Sequence, residues 1–526
     1  MLKRLEYCTE ITPCCPLRPA FFMRKRIPSK VQSRLLRRLL RRASNTEWGR
    51  RFEFSRIAQE SDVISAYQAR VPIHTYDEIK FLVDRTRAGE ENLLWPGKIK
   101  HFAISSGTAS KGKVIPLSTE MLQLNRKFSL NVGLNYLINT GIYKTFLGKH
   151  LTLPGRIQSD PDHLDTLIGE VSGLQTLFAP KIFSALLQAV PASVAFTPDW
   201  DLKLNSVVDQ TLNLDIRLVA MAPTWAPVLF GTLIDRFNEV NGTAVRTVGE
   251  VWPNLQLYIS GGVALSSYRS ILEEQIGLPD IHFLEVYGAS EGFFSYQTNL
   301  DDPAMQLHLN NGIFYEFVRL EELGTDNPER FTISNVETNV RYAPLLTTCS
   351  GLWSYVLGDV VRFTSTSPHK ILVAGRTSEM IDKYGEAVFG EDARAAIDTA
   401  CKTTNSLVRE YHVSAMPPNG TMVPAHEWLL EFSRLPDDRE AFIRTLDSEL
   451  SNINRHYHIR REAKAFGPPE IVIVPNGTFT AWLRASKGDI HSQAKIPRMS
   501  DQRDIADGVL AHAGQHACRV RIVGSE

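Results

Sequence analysis

The stretch Phe283-Leu284-Glu285-Val286-Tyr287-Gly288-Ala289-Ser290-Glu291-Gly292 decides the fold class of this chain. Its first half has the apolar, aromatic character of a short strand, and its second half is a loop of small and polar residues. The same design recurs at 257–262 and at 101–107, and a helical pattern over 266–275 lies between two of these strands. Such alternation predicts an α/β protein with parallel strands, whose ligands bind beyond the carboxyl ends of the strands.

The C-terminal part of the chain has a different order of elements. The pattern predicts helix, strand, strand, helix and strand at 392–403, 407–414, 428–432, 437–453 and 470–474. This order is typical of a compact α+β unit of ordinary domain size. We therefore predict a boundary near Asp382-Lys383, with a large α/β domain over 1–382 and a smaller α+β domain over 383–526.

Composition excludes several classes of protein. The chain has 526 residues, 58 basic and 58 acidic, with 43% apolar and 22% charged residues. The apolar fraction is too high for a disordered chain, and 33 Gly and 28 Pro are too few for a collagen-like one. A zero net charge also argues against a nucleic-acid-binding protein, which would carry a basic domain. We expect a globular chain that binds no nucleic acid.

Cysteine usage and hydropathy predict the compartment. The six cysteines, at 8, 14, 15, 349, 401 and 518, form no C-x-x-C motif and no disulfide framework. There is no run of about 18 apolar residues and no signal-peptide core. We therefore expect a cytoplasmic protein without stable membrane insertion.

Residues 1–50 form a basic arm with 13 Lys or Arg and 3 Asp or Glu. Within it, residues 35–42 alternate pairs of leucine and arginine at near-helical spacing. One interpretation is a membrane-surface or targeting helix. The other is an amphipathic helix that packs its leucines on the large domain. We favour the second, because 46–50 follows without a linker or a cleavage-like site.

The loop from Ser105 to Lys113 is a candidate phosphate-binding loop. Glycines let backbone N–H groups approach an anion, hydroxyls donate to phosphate oxygens, and lysines add charge. The segment fits G-x-x-x-x-G-K, but Val114 stands where a P-loop has the Ser or Thr that holds Mg²⁺. We therefore reject the P-loop and keep phosphate binding, with an ordinary surface loop as the alternative.

Three other parts of the chain have side chains that could bind a nucleotide or a metal. Glu291 follows a strand and could hold Mg²⁺ through oxygen, and Tyr287 could stack on a base, although a turn with an exposed Glu is common. Asp359 interrupts an apolar run, where Asp is a poor strand former. It could lie in a bulge, form a turn salt bridge with Arg376, or accept hydrogen bonds from ribose hydroxyls. Lys495 lies on a loop stiffened by a proline and could carry charge to the large domain, or simply lie on the surface.

In this order, the motifs resemble those of the adenylate-forming superfamily that includes firefly luciferase. The chain is more closely similar to the auxin-responsive promoter family of plants, the acyl-acid amido synthetases, and to their bacterial relatives. The resemblance runs from about residue 35 to 500 and includes the flanking motifs at 46–52, 71–77, 115–118, 382–386 and 493–498.

The resemblance implies a multi-layer large domain, a mobile C-terminal cap, and the use of ATP and Mg²⁺. Glu291 would hold Mg²⁺, and Lys495 would swing in to stabilise the transition state of adenylation, so these two are the implied catalytic residues. The other implied residues are Ser105, Ser106, Gly107 and Thr108 for the β and γ phosphates, Ser260, Gly261 and Gly262 with Tyr287 for adenine, Ser290 with its neighbours Gly288 and Ala289 for the α-phosphate, Asp359 and Arg376 for ribose, and Lys383 at the hinge.

The implied activity is an ATP-dependent ligase. It would activate a carboxylic acid as an acyl-adenylate, release pyrophosphate, and join the acyl group to an amine, usually an amino acid, giving an amide and AMP. Two alternatives stay open: transfer of the acyl group to coenzyme A or a carrier thiol, and a non-catalytic nucleotide-binding scaffold. The acyl pocket is expected between residues 124 and 224, with His150, Arg156 and His163 as candidate contacts.

Overall fold

The computed structural model describes residues 27–105, 113–163, 165–179, 185–418, 423–487 and 496–520. The helices are α1 (Pro28–Ala43), α2 (Glu47–Arg51), α3 (Phe54–Ile57), α4 (Val63–Arg70), α5 (Tyr76–Arg87), α6 (Thr119–Thr140), α7 (Val171–Leu177), α8 (Ala192–Ala195), α9 (Trp200–Thr211), α10 (Ala226–Asn241), α11 (Val248–Val251), α12 (Arg269–Ile276), α13 (Gly390–Thr403), α14 (Arg439–Ile453), α15 (Arg455–Glu462), α16 (Thr478–Lys487) and α17 (Asp504–Ala513).

Short 3₁₀ turns occur at Tyr143–Phe146, Leu265–Ser267, Leu320–Glu322 and Gly514–His516. The strands are β1 (His101–Ile104), β2 (Val114–Leu117), β3 (Lys149–Thr152), β4 (Ile157–Ser159), β5 (Leu167–Gly169), β6 (Ile216–Met221), β7 (Leu257–Gly261), β8 (His282–Ala289), β9 (Gly292–Gln297), β10 (Met305–Leu307), β11 (Ile313–Arg319), β12 (Phe331–Thr332), β13 (Arg341–Thr348), β14 (Tyr355–Val356), β15 (Asp359–Thr366), β16 (His369–Arg376), β17 (Met380–Ile381), β18 (Val388–Phe389), β19 (Leu407–Met416), β20 (Ala425–Arg434), β21 (Glu470–Val474), β22 (Met499–Ser500) and β23 (Cys518–Val520).

A large mixed sheet positions most of the loops that the sequence singled out. Its order is β12-β11-β13-β15-β16-β10-β9-β8-β7-β6-β3, with β14 paired to β13. Strands β3, β6, β7 and β8 are parallel, as the strand-helix alternation predicts. Because β7 and β8 are neighbours, the loops after Gly261 and Ala289 leave the same edge of the sheet. From β9 onward the sheet is antiparallel.

The first predicted strand lies outside this sheet. Strand β1 belongs to a four-stranded sheet of order β2-β1-β5-β4. It pairs antiparallel with β2, because the chain returns along β1 after the 105–113 loop rather than entering a helix. The phosphate-loop candidate therefore joins two antiparallel strands.

Strand β8 continues past the predicted end at Tyr287 and turns directly into β9. The two strands pair antiparallel, so Ser290 and Glu291 form the turn of a hairpin. A Cβ atom at Gly288 would lie 2.0 Å from a ring carbon of Phe293, so only glycine fits this tight approach. The hairpin holds Glu291 by backbone pairing on both sides.

The C-terminal part is a five-stranded sheet of order β22-β19-β20-β21-β23, packed with α13 and α14. The predicted order of helices and strands is confirmed, and β21 spans the predicted residues 470–474. Its core contains Trp428, Ile397, Phe442 and Leu446, all 4% exposed or less. The fold is thus a large mixed α/β part followed by a smaller α+β part.

Helix α1 packs its leucines inward. Leu35, Leu36, Leu39 and Leu40 are at most 3% exposed and belong to the main hydrophobic core of the large part. The arginines between them lie at the surface or partly covered; one of them, Arg42, pairs with an acidic side chain of α6. Within the described ranges, no helix has both the length and the apolar character needed to cross a membrane.

Candidate active site

A single large cavity, of about 1850 Å³, brings most of the predicted site residues together. It lies beside α6, at the carboxyl ends of β6 to β8, and reaches strands β15 and β16 and the C-terminal part. The predicted residues among its lining are Ser105, Gly261, Gly262, Tyr287, Gly288, Ala289, Ser290, Glu291, Asp359 and Arg376. Residues as distant in the chain as Ser105 and Arg376 thus face one cavity.

Tyr287, Asp359 and Arg376 form a polar group on one wall of the cavity. The Tyr287 hydroxyl donates to Oδ2 of Asp359 at 2.7 Å, and Nε of Arg376 lies 3.8 Å from Oδ1. Asp359 and Arg376 are directly opposite each other on β15 and β16. Burial raises the pKa of Tyr287 well above its usual value, so the phenol stays protonated and donates. The carboxylate keeps acceptor capacity for hydroxyls of a ligand.

Glu291 is a buried carboxylate, only 4% exposed, in the hairpin turn. Burial raises its pKa to about 7, the Asp359 charge adds to the rise, and the Lys113 charge opposes it. The Tyr355 hydroxyl hydrogen-bonds to the same carboxylate. The ammonium of Lys113 is 3.4 Å from that hydroxyl. The site therefore disfavours a second negative charge unless a cation is added.

The carboxylates of Glu291 and Asp359 fit a magnesium ion whose other ligands are phosphate oxygens of a bound nucleotide and water. Mg²⁺ in phosphate-binding sites takes one or two carboxylates, and phosphate oxygens and water complete its shell. Glu291, with Asp359 close enough to raise its pKa, provides that donor chemistry. Over the described part of the chain there is no group of three or more His, Cys, Asp or Glu that could hold a metal alone.

The ends of the candidate phosphate loop are tied together. The Ser105 amide donates to the Lys113 carbonyl at 2.9 Å, and the Lys113 amide donates to the Ser105 hydroxyl at 3.1 Å. The Ser290 hydroxyl donates to the Ile104 carbonyl at 3.3 Å, which joins the hairpin turn to the start of the loop. Three predicted phosphate contacts lie outside the described residues: Ser106, Gly107 and Thr108.

The predicted adenine loop follows β7. Gly261 and Gly262 line the cavity, and Gly262 has a φ of +89°, which suits glycine at this turn. Ser260 is fully buried behind them and does not line the cavity. Its hydroxyl has no hydrogen-bond partner among the described residues. Gly261 and Gly262 thus present their backbone to the cavity, while Ser260 is buried behind its lining.

Like Ser260, Lys383 is not brought to the cavity lining, and Lys495 is not among the described residues. The Lys383 amide donates to Oδ1 of Asp501 at 3.2 Å, and its ammonium is 3.4 Å from the Asp501 carbonyl oxygen. Lys495 lies outside the described residues, although the next residue, Ile496, lines the cavity. The roles of both lysines stay predictions.

A buried group that the sequence did not predict joins the large and C-terminal parts. Arg498 donates to the Tyr268 hydroxyl at 2.7 Å, and its guanidinium is 2.9 Å from Oε2 of Glu410. The Tyr268 hydroxyl also donates to Glu410. Tyr268 precedes α12, whereas Glu410 lies on β19. The signal for Arg498 was its place at the end of the 493–498 motif.

The acyl pocket was expected between residues 124 and 224, and only part of that prediction agrees with the residues that line the cavity. Phe128 and Val132 of α6 pack against the sheet through a core that includes Leu218 of β6, and all three line the cavity. His150 lines it as well, but Arg156 and His163 do not. Arg156 and His163 flank β4, which pairs with β5 in the small sheet, and Arg156 donates to the carbonyl of Pro198.

Comparison with known proteins reveals the same architecture elsewhere. The solved structure of the GH3.15 acyl acid amido synthetase superposes with a TM-score of 0.75 at 19% identity, covering 92% of this chain and 93% of the other. A 2-hydroxyisobutyryl-CoA ligase in the postadenylation state gives 0.56 at 12% identity, covering 92% and 91%. The expected fold class is confirmed: a large α/β part and a smaller C-terminal part of the adenylate-forming type.

Sequence relatives and family models agree. The indole-3-acetic acid-amido synthetase GH3.4 of Arabidopsis thaliana is 24% identical, with 94% of this chain and 91% of the relative covered. The jasmonoyl–L-amino acid synthetase JAR4 of Nicotiana attenuata is 23% identical, with 89% and 90% covered. The N-terminal, central and C-terminal domain models of the GH3 family match residues 21–156, 306–376 and 391–504, together more than half of the chain. The chain belongs to the GH3 family, as the sequence motifs predicted.

Proposed function

We propose that this protein is an ATP-dependent acid–amino acid ligase, which activates a carboxylic acid as its adenylate and conjugates it to an amine. The observation that carries the proposal is the gathering of Glu291, Asp359, Arg376 and the two ends of the 105–113 loop around one cavity. The related GH3.4 is named an indole-3-acetic acid-amido synthetase, and JAR4 is named a jasmonoyl–L-amino acid synthetase. For this chain, the proposed partners are a small-molecule carboxylic acid and an amino acid or another amine.

The first half-reaction brings two anions together. The carboxylate oxygen of the acid forms a bond to the α-phosphorus of ATP, the bond from that phosphorus to the bridging oxygen breaks, and pyrophosphate leaves. The site must lower the repulsion by fixed positive charge. Lys113 lies at the end of the phosphate loop, Arg376 lies on the ribose wall, and Lys495 keeps its predicted role as the cation delivered by the C-terminal part.

Glu291 is the residue that would hold magnesium, which when bound supplies positive charge at the phosphate oxygens. The carboxylate of Asp359, held by Tyr287, would accept the ribose hydroxyls. Ser290 would lie beside the α-phosphate. Its hydroxyl donates to the carbonyl of Ile104, the last residue of β1 before the phosphate loop, so Ser290 lies next to the start of that loop. In this arrangement the chain supplies no nucleophile, and catalysis is by positioning and electrostatics.

The second half-reaction needs the acyl-adenylate to be sheltered from water. The amine nitrogen forms a bond to the acyl carbon, the bond from that carbon to the phosphate oxygen breaks, and AMP and one proton are released. The cavity extends to Arg498, Glu410 and Tyr411 of the C-terminal part, which would close it at this stage. We propose that the boundary near Asp382-Lys383 separates the large domain, 1–382, from this cap, 383–526.

Release of pyrophosphate and AMP tests the proposal. A panel of aryl, indolyl and aliphatic acids is incubated with ATP and Mg²⁺, with amino acids, with coenzyme A, or with neither acceptor. We expect acid-dependent pyrophosphate release and amide formation only with an amino acid. Consumption of the adenylate by coenzyme A would replace the amide-forming function by thioester formation. No pyrophosphate release with any acid would leave a nucleotide-binding scaffold.

We also propose a cytoplasmic location. Cys349, Cys401 and Cys518 are free thiols, which suits a reducing compartment. Fractionation of expressing cells, with alkylation of thiols before lysis, tests this location directly.

A further inference from the structure

The cavity is apolar in the part that lies between α6 and the large sheet. Between α6 and the strands β6 to β9 its walls are formed by Phe128, Val132, Leu218, Ala220, Ile259 and Phe293. The rings of Phe128 and Phe293 are 5.3 Å apart and close one side. This chamber is continuous with the space in front of Tyr287 and Glu291, where the proposed adenylation would occur.

Helix α6 gives the chamber its length. Leu122, Arg126, Ser129, Gly133 and Leu137 line the cavity, at the three- and four-residue spacing of one helix face. From Leu122 to Leu137 the helix rises by about 22 Å. The cavity therefore follows α6 for four turns, which is longer than a compact aromatic acid requires.

The outer end of the chamber has an apolar rim. Leu130 and Leu134 line the cavity and are 56% and 46% exposed, and Phe178, just after α7, lines it and is 41% exposed. Ile138 continues the row on α6 by one more turn and is 57% exposed. Large apolar side chains exposed together are typical of a binding surface for an apolar ligand.

Beyond Arg126, the charged residue on the chamber face of α6, the following stretch of the described wall has no charged side chain. Of the described residues between 128 and 188 that line the cavity, none is Asp, Glu, Lys or Arg. His150 is there, but burial lowers its pKa, so it is neutral at pH 7. A second charged group on the substrate that lay beyond Arg126 would have no charged partner among the described residues there and would lose its hydration.

We infer that the acid substrate is a long-chain aliphatic carboxylic acid, with its carboxylate at the nucleotide end and its tail along α6 to the Leu130–Leu134 rim. This inference rests on the proposed function for the identity of the reacting end, but the tail site stands on the chamber itself. In an enzyme that prefers compact ring acids, the substrate would fill only the inner part of this chamber, whereas a long-chain acid would fill its whole length.

Gly133 offers a way to block the chamber. A Cβ built there would meet only the Phe146 ring, at 3.5 and 3.7 Å, which is ordinary contact, so Gly133→Leu should fold and place its side chain among the cavity walls. The matched control is Gly231→Leu on α10. There the nearest atom to a built Cβ is a Gln275 nitrogen at 4.0 Å, and Gly231 does not line the cavity.

The experiment measures binding of butyrate, octanoate, dodecanoate and hexadecanoate by displacement of a fluorescent fatty-acid probe, together with pyrophosphate release from ATP. We expect affinity to rise by roughly twofold to fourfold for each methylene until the tail reaches the rim. Gly133→Leu should weaken dodecanoate and hexadecanoate at least about tenfold but leave butyrate unchanged, since burial of several methylenes is lost. Gly231→Leu should match the wild type.

Equal binding of short and long acids, or an equal effect of Gly133→Leu on all of them, would overturn the inference. So would a failure of every acid to displace the probe. If short acids alone drive pyrophosphate release, the ligase stands and the long-tail site falls. If long acids bind in the predicted order without any pyrophosphate release, the tail site stands and the proposed adenylation falls.

Discussion

The hydroxyl of Tyr287 holds the carboxylate of Asp359 by a 2.7 Å hydrogen bond across the β8–β15 side of the cavity. This contact leaves Oδ1 of Asp359 on the side of Arg376. The sequence predicted Tyr287 as a stacking surface for a base, but its polar end is engaged with the residue predicted to bind ribose. Tyr287 thus orients Asp359, and its ring remains in the cavity wall.

Removing that hydroxyl should impair nucleotide binding more than chemistry. A hydrogen bond to a charged group contributes about 1.5 to 3 kcal/mol, so we expect Tyr287→Phe to raise the KM for ATP about tenfold with little change in kcat. Asp359→Asn should raise it further, because both partners of the carboxylate are weakened. Pyrophosphate release at varied ATP measures both constants. A wild-type KM for Tyr287→Phe would show that the hydroxyl does not orient the ribose acceptor.

Lys113 should matter through its charge. Its ammonium lies near the Tyr355 hydroxyl and helps Glu291 to ionise. We expect Lys113→Met to lower kcat/KM for ATP by about a hundredfold, the scale of losing one electrostatic group in an active site. Lys100→Met, at an exposed position just before β1, is the control and should stay within twofold of wild type. Equal losses in the two variants would point to a general effect of net charge.

Much of the fold was predictable because local patterns decide it. The segments 283–287 and 470–474 are apolar except for one glutamate each, Glu285 and Glu470, and both occur as strands. The helix over 437–453 begins within two residues of the predicted start. These elements are specified by residues close to one another in the chain.

The pairing of strands was harder to predict from the sequence, because it depends on contacts between residues that are far apart in the chain. Nothing local distinguishes the loop after Ile104, which turns back along β1, from the loop after Gly261, which precedes a helix. For the same reason the β8–β9 hairpin and the Tyr287–Asp359 bond were not foreseen. Arg498 was missed because a basic residue in a short motif gives no sign that it is buried.

Arg498, Tyr268 and Glu410, here called the Arg498 cluster, should stabilise the contact between the large α/β part and the C-terminal part. Breaking a buried ion pair by removing one partner costs about 3 to 5 kcal/mol, so Arg498→Met should lower the free energy of unfolding by about 3 kcal/mol. Tyr268→Phe should cost about 1 kcal/mol, as one hydrogen-bonding hydroxyl is lost. Urea titrations measure both. Arg444→Met, which breaks an exposed pair with Glu440, is the control and should cost less than about 1 kcal/mol.

The two Arg498-cluster variants should also be non-additive. Arg498, Tyr268 and Glu410 contact one another, so the double variant should cost less than the two single costs combined. Additive costs in the double-mutant cycle would mean that the residues act independently and that the cluster is not one unit.

His412 should make the stability of the C-terminal part depend on pH. It is fully buried on β19, and its Nδ1 is 2.7 Å from the Pro497 carbonyl oxygen. Its pKa is lowered from 6.5 to about 4, chiefly by burial; the charges of Arg498 and Arg503 contribute to this fall, and the hydrogen bond with the Pro497 carbonyl opposes it. Between these pH values the unfolded chain binds the proton and the folded chain does not. Stability should therefore be unaffected by this group above pH 6.5 and fall on acidification toward pH 4, by up to about 3 kcal/mol.

The difference between wild type and His412→Gln isolates this contribution from other titrating groups. Urea unfolding of both, at steps from neutral pH to pH 4.5, should show the wild type losing more stability on acidification, because glutamine has no proton to gain. His456→Gln removes an exposed histidine of α15 and should follow the wild-type curve. Parallel curves for wild type and His412→Gln would mean that His412 accepts its proton in the folded state as readily as in the unfolded one, and burial would then carry no electrostatic cost at this position.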